Sequence, residues 1–239
     1  MISEVAFARD YGSSWRMMTP LMDGFVRQLN AGLYDRDFPP SGAATAANRR
    51  AFVNEVAFEV FCAAVRKRQV GGIVDPIVDI VDVVSPIVQA DARRRGWEGD
   101  YSGALSDDEQ GDVEEQIRRF QARLGVLGGM EHVICKPSFP GCGIIDRCEG
   151  DLIIRETLIE VKAGDRLFRA IDVRQVLTYL ALNYKSSSHD IRSVMLFNPR
   201  VGISLRMDVD EICFELSGAG APQLLDAISY VISSGDVSR

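Results

Sequence analysis

Gly150-Asp151-Leu152-Ile153-Ile154-Arg155-Glu156-Thr157-Leu158-Ile159-Glu160-Val161-Lys162 is the stretch that decides the fold. Two short apolar runs, Asp151 to Ile154 and Leu158 to Val161, flank a tight turn at Arg155 to Thr157, which is the pattern of a β-hairpin. Side chains alternate across a strand, so Glu160 and Lys162 share one face and Val161 takes the other. Asp151, at the mouth of the first strand, reaches the same spot once the hairpin closes. Two carboxylates and an ammonium then converge at one sheet end. Two carboxylates with water ligands suit Mg²⁺, a hard ion that prefers oxygen. Such an ion polarises a phosphoryl oxygen and lowers the pKa of a bound water. A neighbouring lysine can orient that water or stabilise transition-state charge. Phosphodiester hydrolysis needs this set of residue types. The competing reading of Glu-x-Lys is a solvated ion pair on an exposed strand face.

The segment that follows shifts the balance. Ile171 to Tyr184 reads as a helix that packs beside the Glu-Val-Lys strand, and Gln175 and Tyr179, at i and i+4, share one of its faces. Asp151, then Glu160-x-Lys162, then Gln175-x-x-x-Tyr179, in this order and with these gaps, resembles the PD-(D/E)XK nuclease superfamily. The Gln-x-x-x-Tyr element is similar to its RecB and lambda-exonuclease-like branch. The resemblance covers roughly residues 109 to 210. It implies an α/β restriction-endonuclease-like core of order α-β-β-β-α-β, a mixed central sheet flanked by helices.

The resemblance also implies roles. Asp151 and Glu160 would bind Mg²⁺ or Mn²⁺, and Lys162 would position the attacking water. Gln175 and Tyr179 would steady the metal-site strand or touch substrate phosphate. The family usually adds an acidic residue from an upstream helix, for which Glu55, Glu59 and Glu115 are candidates; Glu55 is favoured because its helix is the most substantial. Gly143-Ile144-Ile145-Asp146 resembles the Gly-x-Ile-Asp signature of RecB-type nucleases and makes Asp146 the alternative to Asp151 as first ligand. Asp151 is preferred because it opens the apolar strand; Glu149 stands two residues before it. The family's proline before the aspartate is absent.

Outward from this segment, Val113, Ile117, Phe120 and Leu124 recur at helical spacing over 112–124. His132 to Cys135 reads as a strand that packs His132. Val194 to Phe197 and Gly202 to Met207 are two more strands joined through Asn198-Pro199, and Ala221 to Ile232 is a closing helix. From 112 onward the expected order is α-β-β-β-α-β-β-α. Upstream, Pro20 to Leu33 is a short amphipathic segment and Ala43 to Arg68 the longest helical pattern. Ile73 to Ala90 leans towards helix against its β-branched content, with Pro86 expected to break or kink it. Trp97 to Gly111 is polar and rich in Gly and Asp, so it reads as a surface loop. The chain divides into a helical region, 1–108, packing on a nuclease-like core, 109–239.

The net charge is −7, so nucleic-acid binding needs a local basic surface on an acidic molecule. Lys162, Arg166, Arg169 and Arg174 gather near the candidate site and would serve as phosphate contacts, making binding salt-sensitive. Arg66 to Arg68 and Arg93 to Arg95 are solvated charges or further phosphate contacts. An odd count of five cysteines argues against a disulfide framework, and their wide spacing fits neither zinc nor an iron–sulfur cluster. Two histidines leave little for Ser-His-Asp hydrolysis. The first thirty residues lack an apolar secretory core, and Asp75, Asp79 and Asp82 interrupt the most apolar run, so a cytoplasmic chain without membrane contact is expected. The expected partner is nucleic acid, DNA ahead of RNA, in repair or phage defence, within a homodimer or a larger defence or repair complex. The Gln-x-x-x-Tyr element favours an exonuclease, with endonuclease as the alternative. The rival reading is an inactive nuclease-fold module that binds nucleic acid or a protein partner.

Overall fold

In a computed structural model, residues 1–42, 45–72 and 77–235 are described, with the backbone alone at Val78. The N-terminal part holds α1 (Glu4–Asp10), α2 (Gly12–Met18), α3 (Met22–Gln28), β1 (Asp35–Arg36), α4 (Arg50–Gln69), α5 (Ile77–Arg95) and α6 (Asp107–Gly125). Five strands follow: β2 (Val133–Cys135), β3 (Ser138–Phe139), β4 (Cys148–Glu149), β5 (Leu152–Ile154) and β6 (Thr157–Val161). Then come α7 (Ala170–Ser186), β7 (Ser193–Asn198), β8 (Ile203–Asp208), α8 (Val209–Ser217) and α9 (Ala221–Ser234).

The chain is an α/β protein with a mixed six-stranded sheet of order β1-β8-β7-β6-β5-β2, flanked by helices. β5 and β6 form the hairpin read from the sequence, with Leu152 opposite Ile159 and Ile153 opposite Leu158. β6 pairs in parallel with β7, whereas the other ladders are antiparallel. A parallel pair cannot be closed by a tight turn, so α7 makes the crossover between them. The alternation of β5 and β6 decides what each face carries. Ile153 and Leu158 join the core beneath α7, α9 and the N-terminal helices, where Trp15 and Phe7 are fully buried. Leu152, Ile154 and Ile159 point the other way, towards Phe58 and Phe61 of α4 and Phe120 of α6. Phe61 stacks on Phe120 at 5.1 Å between ring centroids, and Phe120 meets Phe197 edge-on at 5.7 Å. A further apolar cluster lies between α4, α5 and α6.

Several expectations need correction. α4 begins at Arg50 rather than in the Ala43 region, because 46–49 form a turn; residues 43–44 lie outside the described residues. Helix replaces the ambiguity over 77–90 and runs on to Arg95, while residues 73–76 lie outside the described residues. Pro86 does not end it: Asp82 and Pro86 are both exposed, so the carbonyl deprived of its donor turns towards water. The loop expected to reach Gly111 stops at Ser106, whose Oγ accepts the Glu109 N–H at 3.3 Å while Glu109 accepts the Ser106 N–H at 3.0 Å. This reciprocal cap starts α6 five residues early. His132 ends a 3-10 turn and is exposed, not packed in a strand. The small β3–β4 hairpin, β1 and α8 had no counterpart in the sequence reading. Among the described residues no helix is long and apolar enough to cross a membrane.

The β7–β8 turn depends on Gly202, which has a φ of +78° and lies where a Cβ would come within 2.2 Å of the Phe38 carbonyl oxygen. Gly218, with a φ of +74°, has open space around the same position. Gly218→Ala is expected to cost about 1–2 kcal/mol from backbone strain alone. Gly202→Ala should cost clearly more, because β1 must also move off the sheet edge. Urea unfolding of the two variants measures the difference; equal losses would mean that the Phe38 contact contributes nothing.

Candidate active site

The register that sets Leu152 opposite Ile159 places Asp151 across from Glu160. Like charges directly opposite on two strands destabilise a sheet, and burial adds a desolvation cost. Glu160 is 2% exposed. Two contacts offset these costs. Asp151 Oδ2 accepts the Val161 N–H at 2.7 Å. Lys162 Nζ donates to Glu160 Oε1 at 2.6 Å. The remaining Glu160 oxygen, Oε2, is buried without a hydrogen-bond donor among the described residues. Ionised carboxylates only accept, so a proton or a cation is what satisfies this oxygen.

From Lys162 a chain of hydrogen bonds runs through α7. Lys162 Nζ also donates to Gln175 Oε1 at 2.8 Å, and Gln175 Nε2 donates to the Tyr179 hydroxyl at 2.9 Å. The Tyr179 hydroxyl donates to the Glu149 carbonyl at 3.1 Å. Tyr179 is 1% exposed and stacks on Phe139. The Gln-x-x-x-Tyr pair thereby ties the segment entering β5 to the end of β6, and Asp151 lies between those two points. The helical spacing of four residues is what lets the amide and the phenol meet on one face.

The electrostatics follow from this crowding. Burial first, and then the Asp151 charge, push the Glu160 carboxyl up to about 8 against the pull of Lys162. Burial raises Asp151 as well, opposed by Lys162 and the Val161 N–H. Burial and the neighbouring Glu59 push Glu55 up to about 7. Burial penalises the Lys162 ammonium, yet Glu160 and Asp151 outweigh it and hold the lysine above its ordinary value.

Two cavities open onto Asp151 and Glu55, and the smaller also onto Lys162; Glu160 is buried behind them and lines neither. One, of about 270 Å³, is lined by Asn54, Lys162, Gly164 and Arg166; the other, of about 540 Å³, by Arg95, Trp97, Lys136 and Arg147. Glu55, Phe58 and Asp151 line both. Of the three upstream candidates, Glu55 is therefore the one beside Asp151. Glu59 pairs with Lys136, and Glu115 pairs with Arg118 and Arg119. Asp146 is exposed in the loop between β3 and β4 and lines neither cavity.

The four expected phosphate contacts separate. Lys162 and Arg166 line the smaller cavity, but Arg166 is held by both Asp172 oxygens at 2.6 and 2.8 Å. Arg169 is exposed before α7. Arg174 lies over the Trp15 ring at 6.0 Å and donates to the Ala8 carbonyl at 3.4 Å, and burial lowers its pKa. The sequence reading passed over Lys136, whose N–H donates to the Asp151 carbonyl at 2.9 Å and whose charge acts on the Asp151 carboxyl. The only signal available was a lysine placed directly after the strand that pairs with β5.

Among the described residues, no three His, Cys, Asp or Glu side chains form a cluster that holds a metal by itself. A hard divalent cation needs less than that here, since one or two carboxylates, water and substrate phosphate complete an Mg²⁺ shell. The unpartnered Glu160 oxygen and the raised carboxyls fit such an occupant.

Because Glu160 and Glu55 are raised above the ordinary glutamate value of 4.5, the folded chain holds protons that the unfolded chain has lost. Their contribution to stability is complete below about pH 4.5 and is lost as pH rises through about 7 to 8. In EDTA the melting temperature is expected to fall across that window. Glu160→Gln should make the fall shallower, and a divalent cation should reverse it in the wild type only. An identical pH slope in the variant would reject this account of the site.

Compared with protein-family models, with curated proteins and with solved structures, the chain gives no match. A fold hosts many functions, so it is the chemistry of the site that points to one.

Proposed function

We propose that the chain is a metal-dependent nuclease with a PD-(D/E)XK-type core that hydrolyses phosphodiester bonds, in DNA before RNA. The observation that carries this reading is the meeting of Asp151, Glu160, Lys162, Gln175 and Tyr179 at one sheet end, on β5, β6 and the helix that follows. A mixed sheet flanked by helices is the class of fold that such a core has.

Asp151 and Glu160 would hold Mg²⁺ or Mn²⁺, with Glu55 on the cavity side. When bound, such an ion polarises a phosphoryl oxygen and acidifies a coordinated water. Lys162 has three N–H donors, and Glu160 and Gln175 take two of them. The third is left to orient water or to stabilise charge on a phosphoryl oxygen. Gln175 and Tyr179 act through Lys162 and the β5 entry, so they are positioning residues. Burial of Glu160 excludes bulk water and strengthens each of these interactions.

A second reading, an inactive module that binds nucleic acid or a protein partner, draws on charge. The chain carries −7, and Arg166 and Arg174 are engaged internally.

Cleavage assays on linear DNA, circular DNA and single-stranded RNA, with Mg²⁺, Mn²⁺ or EDTA, separate the two readings. We expect metal-dependent cleavage that falls about a hundredfold or more in Lys162→Ala and Glu160→Gln. Gln175→Ala should lose less, mainly in kcat. A folded wild-type chain that cleaves nothing with either metal would leave the binding module as the reading.

A further inference from the structure

The two cavities that share Glu55 and Asp151 make one trough past the candidate site. Its larger arm ends among side chains that the nuclease reading leaves unused. Arg95 is exposed and lies over the Trp97 ring at 5.5 Å. Trp97 leans on Tyr101 at 5.8 Å between centroids, and Tyr101 meets Phe52 of the α4–α5–α6 cluster edge-on at 5.8 Å. The indole is thus braced from behind by the fold. Arg147, also exposed, lines the same cavity, its Nε donating to Ser138 Oγ at 2.7 Å. Among the described residues neither Arg95 nor Arg147 forms an ion pair. Besides Glu55 and Asp151 of the candidate site, the acidic side chains lining this arm are Glu4, Glu149 and Asp91, of which Asp91 pairs with Arg94 at 3.0 Å. Glu4 and Glu149 disfavour a phosphate beside them and leave the exposed guanidiniums of Arg95 and Arg147 as the path for a phosphate backbone.

A flat guanidinium backed by an indole is a stacking surface for any base. A cavity of about 540 Å³ has the capacity of a small-ligand pocket and not of a duplex turn. We propose that this arm binds one single nucleic-acid strand, with a base stacked on the Arg95–Trp97 pair and its phosphate held by Arg147. The assignment rests on the nuclease reading for the position of the scissile bond and gives that reading a substrate class: single-stranded ends or gaps, bound without base-specific contacts. Stacking of this kind is sequence-tolerant, because every base has a π-face.

The test is fluorescence anisotropy of a labelled oligothymidylate with the full chain carrying Glu160→Gln, which silences cleavage. Arg95→Ala and Trp97→Leu should each weaken binding about tenfold, the loss of one stacked base. Arg147→Ala should weaken binding and reduce the salt dependence by about 0.7 in the log–log slope. Trp97→Phe should restore most of the Trp97→Leu loss, and a duplex of equal length should not compete. Because Trp97 is half-buried, Trp97→Leu could unsettle the fold; Arg95→Ala, at an exposed position, carries the test alone in that event. Unchanged single-strand affinity in Arg95→Ala and Arg147→Ala, equal competition by duplex, or no binding would overturn the proposal.

The two readings fail separately. Lys162-dependent cleavage by the wild-type chain, with kcat/KM on single strands indifferent to Arg95 and Arg147, rejects the strand site and keeps the nuclease. Arg95-dependent binding with no cleavage under any metal rejects the nuclease and keeps the strand site.

Discussion

Burying Glu160 directly across from Asp151 is a costly arrangement, and much of the surrounding structure compensates for it. Two carboxylates at a sheet end have one ammonium, Lys162, within bonding reach of Glu160, together with one main-chain N–H for Asp151. A purely structural sheet end would replace the pair with apolar residues at no loss. Retaining it requires Gln175 to hold the ammonium, Tyr179 to hold Gln175, and the Glu149 carbonyl to accept from Tyr179. A buried polar chain of this kind is stabilising only when its members are satisfied. The buried oxygen left out, Glu160 Oε2, has no donor among the described residues, so a proton or a cation is what would complete the arrangement.

A second buried network fixes what lies above the site. Arg200, in the β7–β8 turn, pairs with Asp112 of α6 at 2.7 Å and donates to Asn54 Oδ1 at 2.8 Å; Arg200 is 4% exposed and Asp112 1%. Thr45 and Gln116 complete the Asp112 shell at 2.6 and 3.2 Å. Asn54 in turn donates to the Ala163 carbonyl at 2.6 Å, one residue beyond Lys162. Asn54 stands next to Glu55 on α4. The helix that presents Glu55 is therefore tied to the loop that leaves Lys162, and relative movement of the two would break the Asn54–Ala163 hydrogen bond beside the buried Arg200–Asp112 ion pair. Removing one partner of such a pair leaves an uncompensated buried charge, which costs several kcal/mol.

The hairpin and the crossover helix were legible because their patterns are local. Asp151, Glu160 and Lys162 follow from strand alternation, and Gln175 and Tyr179 from helical spacing. The start of α6 was equally legible, since Ser106-x-x-Glu109 is a capping box; the Gly- and Asp-rich texture of 97–111 overrode it. β1, β3 and β4, at two residues each, are too short for any periodicity to appear. α8 follows β8 without a turn residue, so its Ile212, Cys213 and Leu216 stripe merges with the strand pattern.

The basic residues illustrate why nearness in sequence misleads about charge. Arg166 and Arg174 stand close to Lys162 along the chain, yet Asp172 claims the first and Trp15 with Ala8 the second. Neither Trp15 nor Ala8 can be connected to Arg174 without the packing of α1 and α2 on α7. Arg95 and Arg147 come from distant segments and meet only around the cavity beside Asp151. Guanidiniums that already hold a buried partner add little to a phosphate path, because moving them exposes the partner they leave. On a chain of net charge −7, cations without an acidic partner mark where an anion can approach, and Arg95 and Arg147 are two that line the larger cavity.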